Sequence, residues 1–232
     1  MDSHNHAEFT SLITHQLREP LTQIKWAISL LVNGEAGELN PEQKDFLDKA
    51  LKSGEHALSL IDDMLKADKI ESGITDLFFV EADIVEILQG IVSELKPRAE
   101  NKKIDLSFDG SHKNIPPISI DADHIKEALL NVVENAINYS LPNGSVHVSA
   151  LQKGGVVEII IKDTGIGIPD EDALKIFSKF FRARNAKEAH IQGSGLGLYI
   201  VKAIIEKHNG KIHFEKNETG GTTFFIDLPL NN

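Results

Sequence analysis

One histidine lies in a segment whose pattern predicts a helix, and its setting suggests nucleophilic chemistry. Apolar residues recur at intervals of three and four on both sides of it: Leu12, Ile13, Leu17, Leu21, Ile24 and Ile28. This spacing predicts an amphipathic helix with one buried stripe. At 3.6 residues per turn, His15 lies about 200° around the helix from Ile13 and Leu17, so we expect its imidazole to face solvent. Pro20 removes a backbone donor and predicts a kink just past the histidine. An exposed imidazole beside a bend indicates a nucleophile, although a lone surface histidine usually has no such role.

Two asparagines spaced one helical turn apart form a second candidate group. Asn131 and Asn135 lie in the segment Asn131 to Tyr139, which is helical by period, so their side chains share one face. Amide oxygens suit a hard cation such as Mg²⁺, which takes few protein ligands and keeps several waters. The pair alone is equally typical of a polar surface face.

An acidic residue and two glycines follow a predicted strand, in the run Asp163-Thr-Gly-Ile-Gly-Ile-Pro. Gly165 and Gly167 allow backbone conformations closed to other residues and let a flat ligand approach the chain closely. Asp163, at the end of the strand, can accept a hydrogen bond from an exocyclic amine. A purely structural turn is the alternative interpretation of this run.

Three more glycines, Gly193, Gly195 and Gly197, come immediately before a predicted helix. Unpaired backbone N–H groups and the helix dipole favour phosphate at such an end. The spacing matches neither the dinucleotide fingerprint nor a P-loop. Upstream, the segment from Ile176 to Arg182 is aromatic and basic; its phenylalanines are either core residues or anchors of a basic lid, in which Arg182 would neutralise a transferred phosphoryl group.

The elements that must position these residues form two groups. Residues 1–8 have no apolar period and are expected to be a disordered or truncated lead-in. Residues 9–72 predict two long helices, the second introduced by an Asn40-Pro41 cap, which together make an antiparallel hairpin. Such a hairpin cannot bury both stripes alone, so we expect it to dimerise into a four-helix bundle.

Residues 73–232 predict alternating strands and helices and hence an α/β sandwich. Strands are expected at residues 77–80, 104–108, 118–120, 146–151, 156–162, 212–214 and 222–228, and helices at 83–98, 123–139 and 196–208. The predicted fold class is therefore a helical hairpin followed by an α/β domain.

Composition excludes several classes of function. The net charge of -11 argues against binding to nucleic acid or to an anionic membrane. The chain has no cysteine, which excludes disulfides and cysteine-ligated metals and fits a cytoplasmic location. No apolar run approaches the roughly 20 residues needed to cross a bilayer. The sequence leaves open both a membrane anchor and a soluble sensor elsewhere in a full-length protein.

In their order along the chain, these segments resemble the sensor histidine kinases of two-component signalling. The resemblance extends from Phe9 to about Pro229. The His15 segment resembles the H box of that family, and the later segments resemble its N box (131–139), G1 box (163–169), F box (176–182), G2 box (193–197) and last glycine segment (220–223). The family implies a dimerisation and histidine phosphotransfer domain followed by an ATP-binding domain of the Bergerat (GHKL) type.

The resemblance also implies roles for individual residues. His15 would be the phosphorylated residue, with Gln16 and Arg182 assisting; Asn135 would hold Mg²⁺ with support from Asn131; Asp163 would bind the adenine amino group; and residues 183–195 would form a mobile ATP lid. The remaining implied nucleotide contacts are Tyr139, Gly165, Gly167, Lys179, Gly193, Gly195, Leu196, Gly197 and Thr223.

Three positions depart from the family pattern. Gln16 replaces an acidic residue and cannot take a proton at neutral pH, although it can orient the imidazole. Glu19 replaces the Thr or Asn that positions a hydrolytic water, which puts phosphatase activity in doubt because a carboxylate repels phosphate. Asn138 replaces a phosphate-binding lysine, and we expect Lys179 or Arg182 to compensate.

The expected reaction is transfer of the γ-phosphoryl group of Mg-ATP to His15 of a homodimer, then to an aspartate of a response regulator receiver domain. The alternative is a pseudokinase that binds ATP or a receiver without autophosphorylation. A hydrolytic ATPase of the same nucleotide fold is disfavoured, because such relatives carry a glutamate where this chain has Asn131.

Overall fold

In the computed structural model, the chain forms two compact units, residues 1–75 and 76–232. The structure describes residues 2–71, 77–110, 115–191 and 193–230, without the side chains of residues 2–13, 15 and 71. The segment that joins the units, residues 72–76, lies outside this description.

The first unit is a hairpin of two helices, α1 (Asp2–Val32) and α2 (Pro41–Glu71). The predicted cap of α2 is confirmed: the N–H of Gln43 donates to Asn40 Oδ1, and the N–H of Asn40 donates to Gln43 Oε1, both at 2.9 Å. Arg18 contacts Asp62 and, further along, Lys25 lies 3.0 Å from Glu55. From the first pair to the second, the residue number increases on α1 and decreases on α2. The helices are therefore antiparallel, as predicted.

Helix α1 begins earlier than predicted, at Asp2 rather than Phe9. Residues 2–8 contain neither glycine nor proline, so backbone hydrogen bonds can extend the helix where no apolar stripe continues. The predicted kink at Pro20 stays a prediction, since the helix is assigned without a break through this residue.

The predicted buried stripe of α1 is only partly buried in the single chain. Leu17 and Ile24, two of its members, are about half exposed, and Trp26 on α1 and Phe46 on α2 are 65% and 62% exposed. A single pair of helices cannot cover apolar residues on more than one side of each. The hairpin therefore presents apolar surface that it does not bury itself.

The second unit alternates strands and helices. Its predicted elements are found with small shifts at their ends, except that the strand predicted at residues 77–80 shares only Val80 with the observed one. In chain order they are β1 (Val80–Ala82), α3 (Ile84–Asn101), β2 (Asp105–Asp109), β3 (Ile118–Ile120), α4 (Ala122–Tyr139), β4 (Ser145–Lys153), β5 (Val156–Asp163), a 3-10 helix (Asp170–Lys175), α5 (Arg184–Glu188), α6 (Gly197–Lys207), β6 (Lys211–Lys216) and β7 (Thr222–Pro229).

These strands form a five-stranded sheet in the order β2-β4-β5-β7-β6, and β1 pairs with β3 in a separate small sheet. The β2–β4 pair is parallel, and the other neighbours are antiparallel. Helices α3, α4 and α6 pack on this sheet. Alternate residues of the central strands are fully buried, among them Ile159 and Ile161 of β5, and so are Leu129 and Val133 of α4. The predicted fold class, a helical hairpin followed by an α/β sandwich, is confirmed.

A buried polar group explains why β1 begins later than the predicted residue 77. The N–H of Phe78 donates to Asp121 Oδ2 at 2.8 Å, so the strand ladder starts only where Val80 pairs with Ile120. The backbone N–H of Asp121 donates to His208 Nε2 at 3.0 Å. This bond joins the start of α4 to the end of α6.

His208 itself is fully buried and has both ring nitrogens engaged. Its second nitrogen, Nδ1, lies 2.8 Å from the carbonyl of Ile204 and donates to it, because Nε2 is the acceptor for Asp121. Burial lowers the pKa of the His208 imidazole below its ordinary value. The histidine is therefore held neutral within the fold.

Candidate functional site

The two asparagines predicted to act together do contact each other on α4. Asn135 Nδ2 donates to Asn131 Oδ1 at 2.9 Å, as the spacing of one turn predicts. The bond uses an acceptor of Asn131 and a donor of Asn135. The amide oxygen of Asn135 is not used in this bond and can coordinate a cation.

Asp163 ends β5 as a buried carboxylate, with 3% of its surface exposed. Its Oδ1 accepts two backbone hydrogen bonds, from Gly165 N–H at 2.8 Å and from Thr222 N–H at 3.1 Å. Burial raises the pKa of this carboxyl above its ordinary value, and the two hydrogen bonds oppose that rise. Both bonds fix the orientation of the side chain.

The turn after Asp163 packs closely against the end of α4. Ile166 N–H donates to the carbonyl of Tyr139 at 3.1 Å, and a Cβ added to Gly165 would overlap that same carbonyl. Burial raises the pKa of Tyr139. The glycine thus allows the turn and the helix to touch.

The same turn also contacts the turn that precedes β7. Gly167 has a φ of 66°, and a Cβ there would overlap the carbonyl of Gly220. The side-chain amide of Asn217, a residue that the sequence analysis missed, donates to the carbonyl of Asp163 at 2.7 Å. Its position in an Asn-Glu-Thr-Gly-Gly turn is the signal that could have identified it.

Thr223, a predicted nucleotide contact, lies on the opposite face of the sheet from Asp163. It pairs with Lys162, whereas Asp163 shares a face with Thr222, since side chains alternate along a strand. Thr222 also supplies the N–H that binds the carboxylate. The residue beside Asp163 is therefore Thr222, and the nucleotide contact of Thr223 stays a prediction.

The start of α6 packs on the asparagine pair. A Cβ on Gly197 would lie 2.8 Å from both Nδ2 and Oδ1 of Asn131, so only glycine fits without moving that amide. Leu196 just before it is buried, whereas Gly193 has open space around it. Of the three predicted glycines before this helix, Gly197 has the closest contact with the asparagine pair.

Gly195 has a φ of 71° and packs against the aromatic and basic segment. A Cβ there would crowd the backbone of Phe180 and Phe181 at 2.7–3.0 Å. Phe180 has a φ of 58° and a side chain that is 64% exposed, whereas Phe177 packs on Phe214 with ring centroids 6.4 Å apart. Of the two interpretations of the aromatics, Phe177 fits the core and Phe180 does not.

The two cations of this segment take different positions. Lys179 Nζ lies over the ring of Tyr199 on α6, 5.1 Å from its centroid. Arg182 donates through Nη2 to the carbonyl of Ile191, and its charge lies close enough to Tyr139 to oppose the rise in that tyrosine's pKa. Arg182 Nε is buried and has no partner among the described residues. The charge of Arg182 thus acts on the last residue of α4, and Lys179 lies over a ring of α6.

The polar stretch after Arg182 contains a short helix, α5, that the sequence analysis did not predict. Asn185 Nδ2 donates to the carbonyls of Ile166 and Gly167 at 3.2 and 2.9 Å. Arg184 pairs with Glu171 at 2.8 Å. The first part of the predicted lid is therefore bonded to the turn after Asp163, and Gln192 lies outside the described chain.

The predicted phosphoacceptor belongs to the first unit. The backbone of His15 lies within α1, but its side chain is outside the described atoms, and so is its predicted exposure. Gln16 and Glu19 are both exposed. The predicted nucleotide contacts all belong to the second unit, where the turn after Asp163 contacts Tyr139 and Gly197 contacts Asn131.

Comparisons with known proteins identify similar families for both units. Residues 5–73 match the His Kinase A (phospho-acceptor) domain, and residues 120–232 match the histidine kinase-, DNA gyrase B-, and HSP90-like ATPase family. Within the described helices, none is both long and apolar enough to span a membrane.

Individual relatives match nearly the whole chain. The non-motile and phage-resistance protein of Caulobacter vibrioides is 31% identical over 97% of this chain, and the circadian input-output histidine kinase CikA of Synechococcus elongatus is 30% identical over 96%. The chain spans only 27% and 30% of their respective lengths. The crystal structure of full-length ShkA in complex with AMPPNP matches 96% of this chain and 45% of its own, with a TM-score of 0.79 and 26% identity.

Proposed function

The chain belongs to the sensor histidine kinase family, and from that premise we propose that it transfers the γ-phosphoryl group of Mg-ATP to His15 and then to an aspartate of a response regulator. The observation that carries this proposal is that three separate segments meet α4: the turn after Asp163 contacts Tyr139 at its end, Gly197 contacts Asn131, and the charge of Arg182 acts on Tyr139. These groups come from separate segments, and together they offer an acceptor for a base, oxygen ligands for a cation and a charge for phosphate.

The base of the nucleotide fits beside Asp163. The two backbone bonds that this carboxylate accepts both end on Oδ1, which leaves Oδ2 to accept a bond from the adenine amino group. Burial of the site strengthens such a bond. Thr222 then completes this end of the pocket in place of Thr223.

The asparagine pair fits a magnesium ion that accompanies the nucleotide. Because the internal hydrogen bond uses Asn131 Oδ1, the free amide oxygen of Asn135 is the candidate ligand and Asn131 orients it. Magnesium would supply charge to neutralise the β- and γ-phosphates. Gly197 keeps the Asn131 amide in place, since any larger residue would displace it.

Arg182 is the candidate for neutralising the phosphoryl group during transfer. Its buried Nε lacks a partner among the described atoms, so a phosphate oxygen would satisfy it. Lys179 stays a predicted contact, and its position over Tyr199 places it on α6. The predicted contacts of Gly165, Gly167, Gly193 and Gly195 likewise remain part of this proposal.

The chemical step requires a neutral imidazole nitrogen, which histidine provides at neutral pH. The new N–P bond forms at His15 as the bond between the γ-phosphorus and the ADP oxygen breaks. Gln16 can orient the ring by a hydrogen bond, but it cannot remove the imidazole proton, so we expect transfer to proceed and to be slow. Glu19 lacks the group that would position a hydrolytic water, and we expect little phosphatase activity.

We further propose that the hairpin dimerises and that the protein acts in the cytoplasm. The exposed Trp26 and Phe46, with half-exposed Ile24, give each hairpin apolar surface that a second copy would cover in a four-helix bundle. ATP and the receiver domain are available in the cytoplasm, where a cysteine-free chain also fits.

Incubation with radiolabelled Mg-ATP tests the proposed activity. We expect acid-labile, base-stable label on the wild type, none on His15→Ala, and normal label on the control His56→Ala, which alters a histidine of α2. Label that survives His15→Ala would refute the assignment of the phosphoacceptor. ATP binding without any label would favour a pseudokinase, in which Gln16, Glu19 and Asn138 are the residues to revert.

A further inference from the structure

The C-terminal turn of α4 carries two cations that reach it from a neighbouring helix. Lys102, the residue that caps α3, donates from Nζ to Asn138 Oδ1 at 2.6 Å. Arg98, one turn earlier on α3, contacts Glu134 and also donates to Asn138 Oδ1 at 3.3 Å. From the contact of Arg98 with Glu134 to that of Lys102 with Asn138, the residue number increases on both helices. Helices α3 and α4 are therefore parallel here, and their C-terminal ends lie side by side.

Asn138 belongs to the same face of α4 as the asparagine pair. Residues 131, 135 and 138 fall within about 60° of one another at 3.6 residues per turn. Asn135 bonds to Asn131 at the start of this stripe, and Lys102 bonds to Asn138 at its end. The ammonium group therefore adds a positive charge to the end of a row of amides.

The charges around Lys102 do not cancel. Asn138 is neutral, and among the described residues the charge of Arg98 repels Lys102 and that of Glu134 attracts it. Glu134 is at the same time the partner of Arg98. These three ionic groups sum to one positive charge, and burial together with Arg98 lowers the pKa of Lys102. An anion at this place would relieve the excess charge.

We propose that Lys102, held by Asn138, contacts the polyphosphate of the bound nucleotide and supplies the cation that the helix itself lacks at position 138. This proposal rests on the proposed function, because it requires that Mg-ATP binds along the asparagine stripe. It differs from the sequence-based expectation that Lys179 or Arg182 would compensate. Lys179 lies over a tyrosine of α6, whereas Lys102 reaches the position in question directly.

A purely structural role is the competing explanation. Cations at a helix C-terminus stabilise the helix through its dipole, and Arg98 and Lys102 occupy that position next to α4. Such a role would affect folding but would not depend on the number of phosphates in a ligand. Nucleotides of different phosphate number therefore separate the two explanations.

The test compares the affinities of the whole chain for Mg-ATP, ADP and AMP by titration calorimetry. For Lys102→Met we expect the affinity for Mg-ATP to fall about tenfold and the affinity for AMP to change less than twofold. The matched control is Lys96→Met, which removes an exposed lysine from the same helix and should leave all three affinities unchanged. In the double variant Lys102→Met with Asn138→Lys, the charge returns on α4, and the affinity for Mg-ATP should recover.

Thermal unfolding of each variant shows whether it remains folded. If Lys102→Met does not, Lys102→Gln serves as the second variant, because it removes the charge and keeps a side-chain N–H that can donate to Asn138. Equal losses for ATP and AMP would overturn the proposal in favour of the structural role, as would a Lys102→Met affinity for Mg-ATP equal to that of the wild type. A wild type that binds no Mg-ATP would refute the proposed function itself, and with it this inference.

Discussion

Replacement of Asp163 by asparagine should weaken nucleotide binding without weakening the fold. Asparagine keeps an oxygen that can accept the bonds from Gly165 and Thr222, so the turn retains both contacts. At the Oδ2 position the variant presents an N–H₂ group, which opposes the amino group of adenine instead of accepting from it. The loss of a charge-assisted hydrogen bond is worth about 2–3 kcal/mol, which corresponds to about a 30- to 150-fold loss of ATP affinity.

Although Asp163→Asn should weaken nucleotide binding, it should not lower the stability of the fold. Burial raises the pKa of Asp163, so the folded state favours the protonated form. The stability that this preference supplies is present below the ordinary carboxyl pKa and is lost as the pH rises through the folded value. At neutral pH the buried charge therefore destabilises the folded, nucleotide-free protein. Asp163→Asn should have an equal or higher free energy of unfolding at pH 7.

Calorimetric titration with Mg-ATP and chemical denaturation at pH 7 measure the two effects on one protein sample. The control is Asp170→Asn, which removes an exposed carboxylate from the 3-10 helix and should change neither quantity. An Asp163→Asn variant that binds ATP as tightly as the wild type would refute the adenine assignment. A variant less stable than the wild type at pH 7 would refute the reasoning from burial.

Three further substitutions or conditions test other contacts. Gly197→Ala places a Cβ 2.8 Å from the amide of Asn131, and we expect calorimetry to show an affinity for Mg-ATP at least tenfold lower. Asn40→Ala removes a reciprocal cap with Gln43 and should lower the unfolding free energy of the hairpin by about 1 kcal/mol in urea denaturation. The pKa of His208 is lowered in the fold, so its contribution to the unfolding free energy should fall as the pH drops below the ordinary value of 6.5, by up to about 1.4 kcal/mol per pH unit. The measurement uses Asp163→Asn, which removes the opposite contribution of that carboxyl, and a flat profile of this variant between pH 7 and 5 would contradict the prediction.

Local patterns in the sequence predicted most of the fold. The hydrophobic period predicted both long helices of the hairpin, and the Asn40-Pro41 pair predicted the start of the second one, because capping depends only on neighbouring residues. Alternation and glycine turns likewise located the central strands. By contrast, β1 starts later than predicted because Phe78 bonds to Asp121, 43 residues away, and no local pattern contains that contact.

The site was predictable in its segments and less so in its individual side chains. Asn131 and Asn135 contact each other because helical spacing fixes their relation, whereas Thr222 and Thr223 are adjacent and chemically identical, and only the register with β5 decides which one lies beside Asp163. The contact of Lys102 with Asn138 was missed for a similar reason. It spans two helices, and nothing in the neighbouring sequence marks it.

The folding of the large sheet depends on a strand that is synthesised late. Strand β7 lies between β5 and β6, although it is the last of the described strands to leave the ribosome. Until it emerges, β6 has no neighbour in the sheet and Asp163 lacks the N–H of Thr222. The proposed nucleotide site therefore cannot form before β7 has been synthesised. A chain cut before residue 222 would lose the strand that joins β5 to β6 and the N–H of Thr222 that binds Asp163, and would leave unpaired edges on both strands that are open to aggregation.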